Sequence, residues 1–96
     1  VPEVMTGNTH VYAQYTIRVQ HRDALAEKLK ARGVPTAVYY PKCLHEQPVF
    51  AALGYKWGAF PESEKASREV ISLPMHPWLD EATQDQIVAA VIESLN

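Results

Sequence analysis

What this chain lacks narrows it first. Its 96 residues include one cysteine, Cys43, so no internal disulfide can form, and that usage fits a reducing compartment. No apolar run approaches the length that crosses a bilayer. Neither sign of charge dominates. Nine Lys and Arg stand against eleven Asp and Glu, and the cations are scattered, which leaves no basic face for nucleic acid. The four glycines contain no phosphate-cradling loop, because Gly54 and Gly58 are spaced by aromatics and a lysine and follow no strand. The opening VPEVMTGNTH lacks a basic n-region and an apolar h-region, so it does not read as a signal peptide. Pro2, Gly7 and Asn8 make it read as a linker, with the expectation that the chain was cut from a longer one.

What is present is the composition of one small globular domain: 47% hydrophobic and 21% charged residues. VYAQYTIRV, residues 11–19, alternates, with Val11, Ala13, Tyr15, Ile17 and Val19 on one face, and predicts a strand. A helix follows through Leu25 and Leu29, with Asp23 at its start, Lys30 and Arg32 at its end, and Gly33 as its stop. VPTAVYY predicts a second strand between Pro35 and Pro41. QPVFAALG predicts a short helix from Pro48 to Gly54. Pro61 opens a helix over PESEKASREVI, and ISLP is a brief third strand ended by Pro74. The closing helix has Asp80 as N-cap and an apolar stripe of Ile87, Val88, Val91, Ile92 and Leu95. The expected order is β-α-β-α-α-β-α: an α/β or α+β domain with about three strands and helices packed on one face.

The chemistry concentrates in AVYYPKCLHEQPVFAALG, residues 37–54. Tyr39 and Tyr40 end a strand, so one is expected to pack on the helices and the other to face outward. The outward hydroxyl, with His45 and Gln47, would line a wall for a polar ligand, and Pro41 and Pro48 would stiffen the loop that carries it. Cys43, His45 and His76 fall short of the four paired ligands of a structural zinc site. A Cys–His nucleophile would need an approach in space that spacing does not supply. His76, in the proline-stiffened turn LPMHPW, reads as a turn residue. None of Lys28, Lys30, Lys42, Lys56 and Lys65 has the apolar setting of a covalent-catalysis amine. The residues alone therefore give one candidate wall and no complete active site. They leave open a binding module without catalysis and, more remotely, a Cys–His hydrolase.

YYPKCLHEQPVF, followed by FPESEKASREVISLPMHP, resembles the C-terminal small domain of DegT-type sugar-nucleotide aminotransferases, fold-type I enzymes that use pyridoxal phosphate. The family pattern runs roughly His-Tyr-Pro-x-Pro-Leu-His-x-Gln-Pro, then Phe-Pro-x-x-Glu, then Ser-Leu-Pro-Met-His-Pro. The likeness extends over HVYAQYTIRV and RDALAEKLKARGVPT, and so over nearly the whole chain from His10. The resemblance implies a linker over 1–9 and a small domain over 10–96. It implies that a separate large domain holds pyridoxal phosphate and the lysine that anchors it, leaving no catalytic residue here. It implies amino transfer, usually from glutamate, to a keto sugar linked to a nucleotide, in a cytoplasmic homodimer. Tyr39, Tyr40 and His45 match the substrate-binding positions, the tyrosines as sugar contacts and His45 either orienting the loop or reaching the substrate, with Pro41, Gln47 and Pro48 shaping the loop. Two departures stand out. Tyr39 replaces a common His, exchanging a group that can be cationic for one that stays neutral, and Cys43 replaces the loop's second proline. The AQYTI strand is most similar to members acting on UDP-linked 3-keto uronic acid sugars.

Overall fold

The computed structural model describes residues 2–96; Val1, the first residue of the expected linker, lies outside them. Two short antiparallel strands, β1 (Tyr15–Arg18) and β2 (Val70–Leu73), form the sheet, with Ile17 opposite Ile71. Helix α1 (Arg22–Ala31) follows β1, α2 (Pro61–Glu69) runs directly into β2, and α3 (Glu81–Leu95) closes the chain. Alternation places Ile17 and Ile71 on the same face. Leu25 and Leu29 of α1 and Ala90 and Val91 of α3 pack with Ile71 to form the core, and Ile17, Val19, Val34 and Leu73 close around it. Leu29 and Ile71 are fully enclosed; each such burial contributes about 1.5–3 kcal/mol. The fold is thus a small α+β domain with α1 and α3 on one face of the sheet.

Helix ends follow the chemistry of the sequence. Asp80 accepts a hydrogen bond from the Thr83 N–H at 2.7 Å, the expected N-cap. Gly33, at φ 77°, ends α1, and the next N–H, of Val34, returns to the Leu29 carbonyl. Lys28 Nζ donates to the Ser94 carbonyl at 2.9 Å, tying α1 to the last turn of α3.

The expected middle strand is not a strand. Between 34 and 40 only Ala37 pairs with β2, exchanging both backbone hydrogen bonds with Ser72 at 3.1 and 2.7 Å. The sheet therefore has two strands and one bridge instead of three strands, and the backbone chemistry explains it. In an antiparallel ladder the next hydrogen-bonded pair outward would be Pro35 with Pro74, and neither has an N–H. The next pair inward would be Tyr39 with Val70. The Val70 N–H already caps α2 through the Ala66 carbonyl, and its carbonyl accepts from Arg22 Nη1 at 2.8 Å.

Other expectations shift in smaller ways. β1 spans four residues, not nine: its partner is equally short, Tyr12 turns the chain at φ 46°, and Val11 is exposed. Residues 48–53 form a 3₁₀ turn instead of an α-helix, with Pro48 at its start and Gly54 (φ 77°) at its end, preceded by a second 3₁₀ turn at Leu44–Glu46. The order is accordingly β-α-3₁₀-3₁₀-α-β-α. In α3 the buried line is Ile87, Ala90, Val91 and Ser94, while Val88, Ile92 and Leu95 of the expected stripe are exposed.

Candidate functional site

The segment between Ala37 and α2 is rich in aromatic residues but has no partner strand, so its shape depends on side-chain bonds. Its anchor is the Glu64 carboxylate. Pro61 starts α2 without needing a donor, and the next turn brings Glu64 back over the chain that enters the helix. Glu64 is 3% exposed. Its Oε1 accepts from the Gly58 N–H at 2.7 Å and the Phe60 N–H at 3.3 Å, and its Oε2 lies 2.9 Å from the same Gly58 nitrogen. His45 Nε2 lies 2.9 Å from Oε1. Burial pushes this carboxyl up, but the hydrogen bonds from Gly58 and Phe60 and the His45 ring outweigh burial and hold it below its ordinary value. An ionised carboxylate only accepts, so the proton of this contact sits on Nε2.

His45 is correspondingly withdrawn. Its side chain is 6% exposed, and its ring packs on Phe60 with centroids 5.0 Å apart. The turn that bears it closes through the Cys43 N–H, which donates to Glu46 Oε2 at 3.0 Å, and the Gln47 N–H, which donates to the Leu44 carbonyl at 3.0 Å. Gln47 Nε2 reaches back to the Lys42 carbonyl at 3.4 Å.

These bonds form one side of a groove of about 710 Å³, a size within the roughly 300–1,000 Å³ of small-molecule clefts. Tyr39, Tyr40, Pro41, His45 and Gln47 all line it, and Phe60, Ser63 and Ser67 form the α2 side. Pro48 stands outside, starting the next turn. Tyr39 and Tyr40 are 46% and 72% exposed. The expectation that one of them packs on the helices is corrected: they lie beyond the last paired residue, where strand alternation does not operate. Their rings meet edge to face at 5.8 Å. Tyr39 also borders a smaller hollow of about 250 Å³ floored by Ala37 and Ser72.

Cys43 borders the groove, whereas His76 sits beside Trp78 in its own turn and does not line it. Among the described residues no group of three or more His, Cys, Asp or Glu is placed to hold a metal, and no helix is long and apolar enough to cross a membrane. All five lysines are exposed, and the Gly58 and Phe60 N–H groups of the loop before α2 are taken by Glu64. These residues by themselves do not fit a pyridoxal phosphate site, which needs a sheltered lysine and a phosphate cradle.

Glu64 is the residue of the site that the sequence reading leaves unnamed, within the helix opened by Pro61. The signal was the Phe-Pro-x-x-Glu pattern, whose last position it occupies.

Comparison with known proteins gives a consistent picture. The family model described as the DegT/DnrJ/EryC1/StrS aminotransferase family matches residues 1–92. A pleiotropic regulatory protein of Geobacillus stearothermophilus is 52% identical over 96% of this chain and 25% of its own length. A UDP-2-acetamido-2-deoxy-3-oxo-D-glucuronate aminotransferase of Pseudomonas aeruginosa is 47% identical over 94% of this chain and 24% of its own length. The crystal structure of a DegT DnrJ EryC1 StrS aminotransferase from Brucella abortus superposes with a TM-score of 0.85 at 41% identity, covering 97% of this chain and 25% of the other. The chain thus spans about a quarter of the length of the relatives it matches.

Proposed function

The chain belongs to the DegT/DnrJ/EryC1/StrS aminotransferase family, and from that premise we propose that it is the C-terminal small domain of a pyridoxal phosphate-dependent sugar-nucleotide aminotransferase, with residues 1–9 as the linker to the large domain. The observation that carries the reading is the groove. On a chain similar over nearly all its length to a sugar-nucleotide aminotransferase, the positions matched to substrate contacts line one cleft.

Pyridoxal phosphate supplies the electron sink for moving an amino group. In this reading the large domain holds the cofactor, consistent with the exposure of all five lysines here. The work of this chain is to bind and orient. The Tyr39 and Tyr40 hydroxyls donate to and accept from sugar hydroxyls, and their rings cover the apolar face of the sugar. His45, its Nε2 committed to Glu64, orients the loop instead of reaching the substrate. Tyr39 gives this wall a neutral hydroxyl where relatives often have a His, so a uronic carboxylate must find its cation elsewhere.

The finer reading is a UDP-linked 3-keto uronic acid sugar as acceptor, glutamate as donor, a cytoplasmic homodimer and a role in surface polysaccharide synthesis. Its acceptor is supported by the 47% identity to the Pseudomonas aeruginosa enzyme named for that substrate class. The test is to supply the full-length protein with pyridoxal phosphate, glutamate and UDP-2-acetamido-2-deoxy-3-oxo-D-glucuronate and to measure 2-oxoglutarate together with the amino sugar. Stoichiometric formation of both is expected. Their absence with this and with dTDP-linked 3-keto sugars would overturn the assignment.

A further inference from the structure

Four bonds converge on one buried carboxylate that borders no substrate-sized space. Glu64 reaches across three pieces of chain: its own helix, the entry loop through the Gly58 and Phe60 N–H groups, and the Leu44–Glu46 turn through His45. Ser67 Oγ donates to the Glu64 carbonyl at 2.8 Å, so the residue is also held by its backbone. Among the described residues of the segment before the wall, only Ala37 pairs with the sheet, and the other bonds of residues 42–47 are local to the turn.

We propose that Glu64 is a positioning residue for the acceptor-sugar site: its carboxylate latches the His45 turn to α2 and thereby sets where Tyr39 and Tyr40 stand in the groove. Glu64 touches no substrate and acts through His45 and Phe60. Its effect is specific to the larger, sugar-bearing substrate. The consequence is a binding effect, because the wall is misplaced while the reacting atoms, held in the large domain, are not. The inference rests on the aminotransferase reading for its kinetic arm only.

The experiment uses the full-length enzyme, with the two half-reactions measured separately. Glu64→Ala is expected to raise KM for the nucleotide keto sugar about tenfold or more, while kcat and the KM for glutamate change less than about threefold. Glu64→Gln keeps an oxygen for Gly58 and Phe60 and is expected to recover KM to within about threefold of wild type. If Glu64→Ala does not fold, His45→Leu, which removes a single partner, must give the same selective rise in KM. Hydrogen exchange provides the arm independent of activity: the amides of residues 43–47 must exchange faster in the variant, with the Ile17–Ile71 pairing unchanged. A parallel loss in both half-reactions overturns the proposal, as does unaltered exchange at 43–47 or a KM for the sugar that does not move. An enzyme inactive on every nucleotide sugar refutes the functional reading, and the exchange arm still decides whether the latch exists.

Discussion

Single residues decide the character of the groove. Tyr40 is the more exposed of the two tyrosines that line it. Tyr40→Phe deletes one hydroxyl and no ring, so in the full-length enzyme KM for the nucleotide sugar should rise about three- to tenfold, the worth of one ordinary hydrogen bond, with kcat nearly constant. Glu64 also governs acid behaviour. Burial opposes its charge, and the Gly58, Phe60 and His45 hydrogen bonds more than compensate, so the folded carboxyl lies below its unfolded value. A depressed carboxyl contributes stability that is fully present above the unfolded value and is lost as pH falls through the folded one. Asp80, held down by the side-chain and backbone hydrogen bonds to Thr83, adds a contribution of the same sign. Urea midpoints measured at falling pH should therefore drop as the ordinary carboxylate range is reached and passed. Glu64→Gln should flatten that dependence, leaving the share owed to Asp80. A dependence as steep in the variant as in wild type would remove Glu64 from the account.

Among the elements, the unmade strand teaches most. Its sequence, VPTAVYY, is strand-like in residue type, and its end prolines were legible as boundaries. What could not be read was that the Ala37–Ser72 bridge would bring Pro35 opposite Pro74 at the next rung, where neither has a donor. Nor could a sequence show that Val70 spends its N–H on α2 and its carbonyl on Arg22. Replacing both prolines, Pro35→Val with Pro74→Val, restores the donors of the outer rung. The variant should show two additional slowly exchanging amides, at positions 35 and 74, by NMR. Exchange as fast as in solvent-exposed turns at both would reject this explanation. The helices were more legible, since their ends depend on local chemistry: Asp80, Pro61 and Gly33 each stop or start a helix where expected. The face of α3 was not. Val88, Ile92 and Leu95 are as apolar as their buried neighbours and differ only in pointing away from α1.

At the scale of the whole molecule, much apolar surface has no cover. The radius of gyration is 15.8 Å and the extents are 49 × 37 × 21 Å, whereas a compact chain of this length would have a radius near 12.5 Å. The aromatic segment contributes to the spread, with Val49, Leu53, Tyr55 and Trp57 exposed along it, and Ile92 and Leu95 add to the surface on α3. Exposed apolar area of this kind favours association. Sedimentation of this 96-residue chain by itself should show an average mass that climbs with concentration. Val49→Ser with Leu53→Ser should reduce that climb without lowering the thermal midpoint, because neither residue belongs to the core. A strictly monomeric chain at high concentration would contradict this.

The sequence by itself determined the helix boundaries at Gly33, Pro61 and Asp80, though not the end of α2, where Val70 and Ile71 join β2, together with the turn-forming prolines and glycines, the residue types of the groove and the family pattern. Each of these rests on contacts within a few residues, or on residue types that can be read in order. Only the tertiary structure decided that the sheet has two strands, which stripe of α3 is buried, that both tyrosines face outward and that Glu64 holds the loop. Those outcomes depend on which donors and acceptors from distant parts of the chain are already taken when the pieces meet. The Glu64 latch spans 19 residues to His45, and the blocked rung spans a still longer stretch of chain. Pairings at that range follow from packing and hydrogen-bond competition, and no local period in the sequence encodes them.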